Sequence, residues 1–162
     1  MTTTTEQAQT ADGKSMLNAT NGFILLAKIK SGQADALRAE LKEMAKSGTF
    51  GAALAKTDIV HFARVAIIEE KYFLFESFFD GSAEDYLDDF YSFGSGENFD
   101  KWLRYCEGWP GPHDQKAFVD FWMSHKIDDL GSVSAYGGAT VKQMHKALRI
   151  RNNFEAVLQD FE

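Results

Sequence analysis

The segment His61–Gly81, HFARVAIIEEKYFLFESFFDG, constrains the chain more than any other. Two apolar runs flank the polar tripeptide Glu69-Glu70-Lys71, the pattern of a β-hairpin. A sheet with one solvated face alternates apolar and polar residues. Here Phe62, Ala66 and Ile68 fall on one side of the first strand and Ala63, Val65 and Ile67 on the other, so both faces are expected to be covered. Four polar side chains interrupt the runs: His61, Arg64, Glu76 and Asp80. Alternation puts Arg64 with Phe62 and Ala66, and His61 on the opposite face; Glu76 and Asp80 share a side with Leu74 and Phe78. Register decides which of them meet. A loop over 69–71 sets Arg64 opposite Glu76, whereas a loop over 70–71 sets His61 opposite Asp80, and a one-residue slip exchanges the faces. Both registers are open from the sequence. The first is favoured because it pairs a buried charge, which left alone costs on the order of several kcal/mol.

The rest of the chain supplies partners for this hairpin. GFILLAKIK (22–30) reads as a strand ending at the turn Ser31-Gly32, and Ala34, Leu37, Leu41 and Met44 recur at helical spacing, giving a helix over 33–46. Residues 49–57 are ambiguous. After the hairpin (59–68 and 72–80), Ser82 with Asp85 forms a capping-box pair before a stripe of Tyr86, Leu87, Phe90 and Tyr91. A second stripe holds Phe99, Trp102, Leu103 and Cys106. Both prolines sit in the loop 108–113, after which Asp114 can cap a helix carrying Phe118, Phe121, Trp122 and His125. Residues 131–139, GSVSAYGGA, read as the last strand. Thr140 with Gln143 opens the last helix, whose stripe is Val141, Met144, His145 and Leu148. Phe154, Val157, Leu158 and Phe161 form a stripe turned by about half a revolution from it, at roughly 100° per residue. A break near Arg151-Asn152-Asn153 is therefore expected, the final segment packing on something else, such as a partner subunit.

The order β-α-β-β-α(αα)-β-α points to the α+β class: a ferredoxin-like, four-stranded antiparallel sheet with helices on one face and a helical insertion between strands three and four. Residues 21–162 are expected to form that single domain. Residues 1–20 are rich in Thr, Ala and Gln, cannot bury enough apolar surface to order themselves, and are expected to be a disordered tail. Their deletion should leave the melting temperature nearly unchanged; a drop of many degrees in a thermal scan would show that the tail docks.

Composition narrows the chemistry by exclusion. A net charge of −7 without a basic block is not the footprint of a nucleic-acid binder. No run of about 18 apolar residues predicts a membrane span. No basic n-region precedes an apolar stretch at the start, so no signal peptide is expected. Cys106 stands alone, fits a buried inert thiol, and suits a cytoplasmic setting. The histidines lack zinc-site spacing and no Cys-His cluster occurs, so no metal site is expected. No nucleotide-binding or nucleophile-elbow motif occurs. The 14 Phe, 5 Tyr and 3 Trp suit an aromatic core and equally an aromatic ligand pocket.

Three segments carry a family resemblance: GFILLAKIKSGQADALRAELKEM, the hairpin VHFARVAIIEEKYFLFESFFDGS, and VSAYGGATVKQMHKAL. Together they resemble the dimeric α+β barrel superfamily over about residues 22–150, and HFAR with FESFFDGS resembles a bacterial branch of it. The resemblance implies a homodimer whose sheet faces meet, which would cover the second face of the hairpin. The superfamily spans haem peroxidases, chlorite-dismutase-like enzymes, cofactor-free monooxygenases, isomerases and non-catalytic stress proteins, so it decides no reaction.

The polar residues of the hairpin are read in two ways. They are a structural ion pair with a satisfied histidine, or they line a cavity between sheet and helices, where His61 moves a proton and Arg64 fixes an anionic or carbonyl oxygen. The second reading makes His61, Arg64 and Glu76 the catalytic candidates and Phe62, Phe78, Tyr86, Trp102, Trp122, His125 and Tyr136 the walls around a small hydrophobic ligand. The expected function is then a small-molecule enzyme of the oxidoreductase, isomerase or lyase kind. The alternatives are a non-catalytic ligand-binding or structural dimer, and a haem protein with His125 or His145 as axial ligand. No other cofactor is expected.

Overall fold

A computed structural model describes residues 20–92, 96–130 and 138–159. Among them lie β1 (Thr20–Lys28), α1 (Ala34–Ser47), α2 (Thr49–Ala55), β2 (Val60–Ile68), β3 (Tyr72–Asp80), α3 (Ala83–Phe90), α4 (Gly96–Leu103), α5 (Gln115–Ser124), β4 (Lys126–Ile127) and α6 (Val141–Gln159). The fold is α+β, with a four-stranded sheet in the order β2-β3-β1-β4 and every pairing antiparallel.

Local chemistry sets the element ends. Ser82 Oγ accepts the Asp85 amide and Asp114 Oδ1 accepts the Ala117 amide, so α3 and α5 start where their caps predict. Thr140 and Gln143 exchange bonds in both directions: the Thr140 amide donates to Gln143 Oε1 at 2.9 Å and the Gln143 amide to Thr140 Oγ1 at 3.2 Å. The ambiguous stretch after α1 forms α2, which follows Gly48 in the left-handed conformation, φ 66°. Glu69 and Glu70 take the same region, with φ 51° and 56°, in the three-residue loop of the hairpin. Arg38 on α1 pins that loop through Glu70, its Nη2 lying 2.5 Å from Oε1, and holds the Glu70 carboxyl below its ordinary value.

One face of the sheet builds the core. Phe23, Leu25 and Ala27 of β1 and Phe73, Phe75, Ser77 and Phe79 of β3 are fully buried. They pack with Leu37, Tyr86, Leu87, Phe90, Phe99, Trp102, Phe118 and Trp122 from α1, α3, α4 and α5. Ring contacts run through this layer, from Phe79 stacked on Tyr86 at 3.9 Å to Trp122 against Phe75 at 5.1 Å and Phe99 at 4.9 Å. The opposite face stays partly open. Phe62, Ile68 and Ile127 are 65%, 40% and 40% exposed, beside half-buried Ile24, Leu26, Leu74 and Phe78.

Three expectations change. Thr20 pairs with Asp80 and belongs to β1, not to the tail expected over 1–20; the remainder of that tail lies outside the described residues. The strand beside β1 is Lys126–Ile127, because the chain returns to the sheet directly after α5, where the His125 carbonyl accepts the Leu26 amide at 3.0 Å. The strand expected over 131–139 falls largely on residues outside those described. Finally, α6 runs unbroken through Arg151-Asn152-Asn153. The break was expected because a straight helix seemed to need two buried sides. Among its described side chains only Val141 is buried, so burial does not force a break, and the Arg151–Glu155 pair at 3.3 Å spans the proposed break.

Candidate functional site

Of the two registers left open by the sequence, the one with the three-residue loop occurs, and the two-residue loop that would set His61 opposite Asp80 does not. The three-residue loop sets Arg64 opposite Glu76, and a bulge between Val60 and Phe62 then shifts the ladder by one residue at His61. The bulge lets His61 reach Asp80: His61 Nε2 lies 2.9 Å from Asp80 Oδ1, with the two side chains 7% and 13% exposed. An ionised carboxylate only accepts, so His61 presents Nε2–H to it, leaving Nδ1 as the nitrogen able to take a proton. The other oxygen of Asp80 accepts the Val141 amide at 2.8 Å, so one carboxylate joins β2, β3 and the first turn of α6.

Phe62, Ala63, Arg64, Glu76 and Phe78 line a hollow of about 350 Å³. Phe62 faces Phe78 and Arg64 faces Glu76 across the strands, while Gly22 and Ile24 of β1 lie opposite Phe78 and Glu76. The hollow therefore sits on the open face of the sheet. Arg64 Nε donates to Glu76 Oε2; the guanidinium side chain is 74% exposed and the carboxylate 16%. A cation pointing outward above a half-sunk carboxylate, next to the Phe62–Phe78 pair, can hold an anionic or carbonyl oxygen of an aromatic or aliphatic molecule. Gly22 matters at the edge of this face, since a Cβ there would collide with the Asp129 carboxylate.

The other expected wall residues lie elsewhere. Tyr86 and Trp122 are fully buried on the opposite side of the sheet, and Trp102, 2% exposed, is part of the same core while also lining a hollow of about 320 Å³ with Met44 and Phe50. His125 ends α5, half-buried; its ring lies 4.2 Å from that of Phe121 and its Nδ1 2.9 Å from the Phe121 carbonyl. Tyr136 lies outside the described residues. The structure thus brings Phe62, Arg64, Glu76 and Phe78 together, holds His61 on Asp80 outside the residues that line the hollow, and separates Tyr86, Trp102 and Trp122 from them.

Two features escaped the sequence reading. Ser77 Oγ, Tyr86 Oη and Trp122 Nε1 are buried without a hydrogen-bond partner, and burial drives the Tyr86 phenol far above its ordinary value. The signal for Ser77 was present: it is the one polar residue on the core-facing side of YFLFESFFD. The second feature is Asp80, weighed only as the partner of His61 in the alternative register, whose link to α6 no local pattern displays.

Cys106 is fully buried, and burial pushes its thiol up to about 12, against an opposing pull from Lys30. Because the folded value is raised above the ordinary 9.0, the associated stability is complete below pH 9 and is lost as the pH climbs through 12. The native chain should resist iodoacetamide at pH 8 and react only when unfolded. Alkylation as fast as in a denatured control would show an accessible thiol.

Among the described residues no group of His, Cys, Asp and Glu is arranged to hold a metal ion, and no helix is long and apolar enough to cross a membrane. Comparison with family models, with curated proteins and with solved structures finds no match for the chain.

Proposed function

We propose that the chain is a ferredoxin-like subunit of a dimeric α+β barrel and a small-molecule enzyme of the oxidoreductase, isomerase or lyase kind, its hydrophobic substrate seated on the open sheet face. The architecture supports this reading. β1 and β2 each run antiparallel to β3, so they are parallel to one another with β3 between them; β3 and β4 are likewise parallel with β1 between. Two interleaved split βαβ connections are what the ferredoxin-like arrangement requires. A second copy on the open face would cover Phe62, Ile68 and Ile127, which a monomer leaves as a large apolar patch.

The observation that carries the function is the hollow of about 350 Å³ in which Arg64 and Glu76 stand next to the Phe62–Phe78 pair. Its size falls in the range of small-molecule pockets, roughly 300–1,000 Å³. Arg64 would fix a substrate oxygen, Glu76 would take or return a proton, and His61, oriented by Asp80, would relay it. The non-catalytic dimer shares every feature except turnover. Haem is less well supported. The hollow around His145 is about 490 Å³, but its other walls are Asp58, Lys142, Leu148, Arg149 and Asn152, with one apolar side chain among them.

An anionic aromatic probe, 8-anilinonaphthalene-1-sulfonate, tests the site. The double change Arg64→Met with Glu76→Leu should leave the melting temperature within a few degrees, because the Arg64 end is solvated and removing both partners together strands no charge, and should weaken dye binding at least tenfold. A folded double variant with unchanged dye affinity would refute the site. Self-association is read separately. Light scattering at micromolar concentration should give about twice the 18.1 kDa chain mass, and the mass of a single chain would remove the proposed dimer.

A further inference from the structure

The 19 residues of α6 extend over about 28 Å, yet among its described side chains only Val141 is buried. Its base is fixed to the hairpin end: the Val141 amide donates to Asp80, and His145 Nδ1 lies 2.8 Å from Asp58 Oδ1. Beyond that base the helix presents an unusual outer face. Lys142, Lys146 and Arg149 recur at spacings of four and three and form one stripe. Ile150 and Phe154 flank it, 61% and 62% exposed. None of the three basic side chains has an ion-pair or hydrogen-bond partner among the described residues. An isolated amphipathic helix with such a face gains little from standing in water, since helices draw most of their stability from packing.

Charge identifies the occupant. Within Val141–Gln159, Lys142, Lys146, Arg149 and Arg151 against Glu155 give 4 − 1 = +3, so with a chain total of −7 the remaining residues carry −7 − 3 = −10. A body that acidic is repelled by an anionic lipid surface and attracts the basic stripe of another copy. Its densest acidic helix is α3, where Glu84 and Asp88 are exposed and one turn apart. That helix begins at Ala83, three residues after the Asp80 that holds α6, so both helices leave the same end of the sheet.

We infer that α6 docks on α3 of a second copy of this chain, with Lys142, Lys146 and Arg149 against that copy's Glu84 and Asp88 and with Ile150 and Phe154 covered. A two-fold dimer makes this contact twice. The inference rests on the self-association proposed above only for the presence of a second copy, not for the meeting of the sheets.

The test uses two full-length variants, Lys146→Glu with Arg149→Glu, and Glu84→Lys with Asp88→Lys, followed by sedimentation across a concentration series at low salt. Each alone should weaken self-association at least about tenfold, because like charges then face each other at both contacts. An equimolar mixture should recover the wild-type association, since both contacts of the mixed dimer are complementary. The helix α6 variant alone suffices for refutation if the α3 variant fails to fold: wild-type association in it overturns the inference. A mixture that recovers nothing overturns it as well. Phe62→Asp separates the two readings. If it dissociates the dimer while the charge variants do not, the sheets meet and α6 does not dock. A wild-type chain that is monomeric and binds phosphatidylserine vesicles through α6 would overturn the inference in favour of a membrane surface.

Discussion

Trp122→Ala is expected to lower the melting temperature by roughly 6–20 °C, from a loss of about 3–5 kcal/mol at about 2–4 °C per kcal/mol for a chain of this size. Trp122 has no exposed surface and contacts the rings of Phe23, Phe75, Phe90, Phe99 and Phe118, so it joins β1 and β3 to α3, α4 and α5. Alanine there leaves a cavity that five aromatic neighbours cannot close by small rotations. One effect acts in the other direction. The indole N–H has no partner, and an unmade buried hydrogen bond costs about 1–3 kcal/mol. Trp122→Phe keeps most of the ring and removes that donor, so it should lie much closer to the wild type than alanine does. Phe154→Ala is the control: that ring is 62% exposed and its loss should shift the transition little. Thermal unfolding followed by near-ultraviolet circular dichroism reads all three. Equal melting of the Trp122→Ala and Phe154→Ala variants would place the stability of the fold somewhere other than this aromatic layer.

The contrast between those two rings marks how far the sequence could be read. Caps and periodicity are local, and local signals survived: Ser82, Asp114 and the Thr140–Gln143 pair stand at their helix starts, and the hairpin strands lie within a residue of their expected bounds. The aromatic stripes of α3, α4 and α5 were legible for the same reason. What failed depends on non-local geometry. A two-residue strand such as Lys126–Ile127 has no pattern to detect, and its existence follows from where α5 returns the chain. The continuity of α6 was misread because burial was assumed for both of its stripes. At the site, the three-residue loop that sets Arg64 opposite Glu76 was favoured over its rival only by the argument that a buried charge needs a partner; the loop holds, although Arg64 is 74% exposed, whereas the bulge at His61 is a one-residue choice that alternation cannot express. Tyr86 and Trp122 were grouped with Phe62 and Phe78 because both sets are aromatic; which side of a sheet a helix covers is not written in either stripe.

Asp80→Ala should bring the second-largest loss, about 2–4 kcal/mol, or roughly 4–16 °C, although the residue lies at the end of a strand. Its carboxylate takes two donors at once, His61 Nε2–H and the Val141 amide, in a setting where the side chain is 13% exposed. Alanine leaves both donors unmade, and the His61 ring, 7% exposed, has little access to water in compensation. Asp80→Asn discriminates this account from a purely electrostatic one. Its carbonyl oxygen can still accept the Val141 amide, and its amide group can donate to His61 if the imidazole moves its proton to Nδ1. The asparagine variant should therefore lose only about 1 kcal/mol. The consequence reaches beyond stability, because the same carboxylate ties α6 to the hairpin. In Asp80→Ala the amides of Val141 and the first turn of α6 should exchange with solvent faster than in the wild type, while those of β1 and β3 keep their protection relative to global unfolding. Both substitutions disturb the tautomer of His61, so both should impair any proton transfer through Nδ1, the asparagine more severely, since it holds the proton on Nδ1 whereas alanine leaves both tautomers accessible. An Asp80→Ala chain that melts with the wild type and leaves the first turn of α6 equally protected would mean that neither hydrogen bond holds the helix, and the docking of α6 on a second copy would then lack its fixed base.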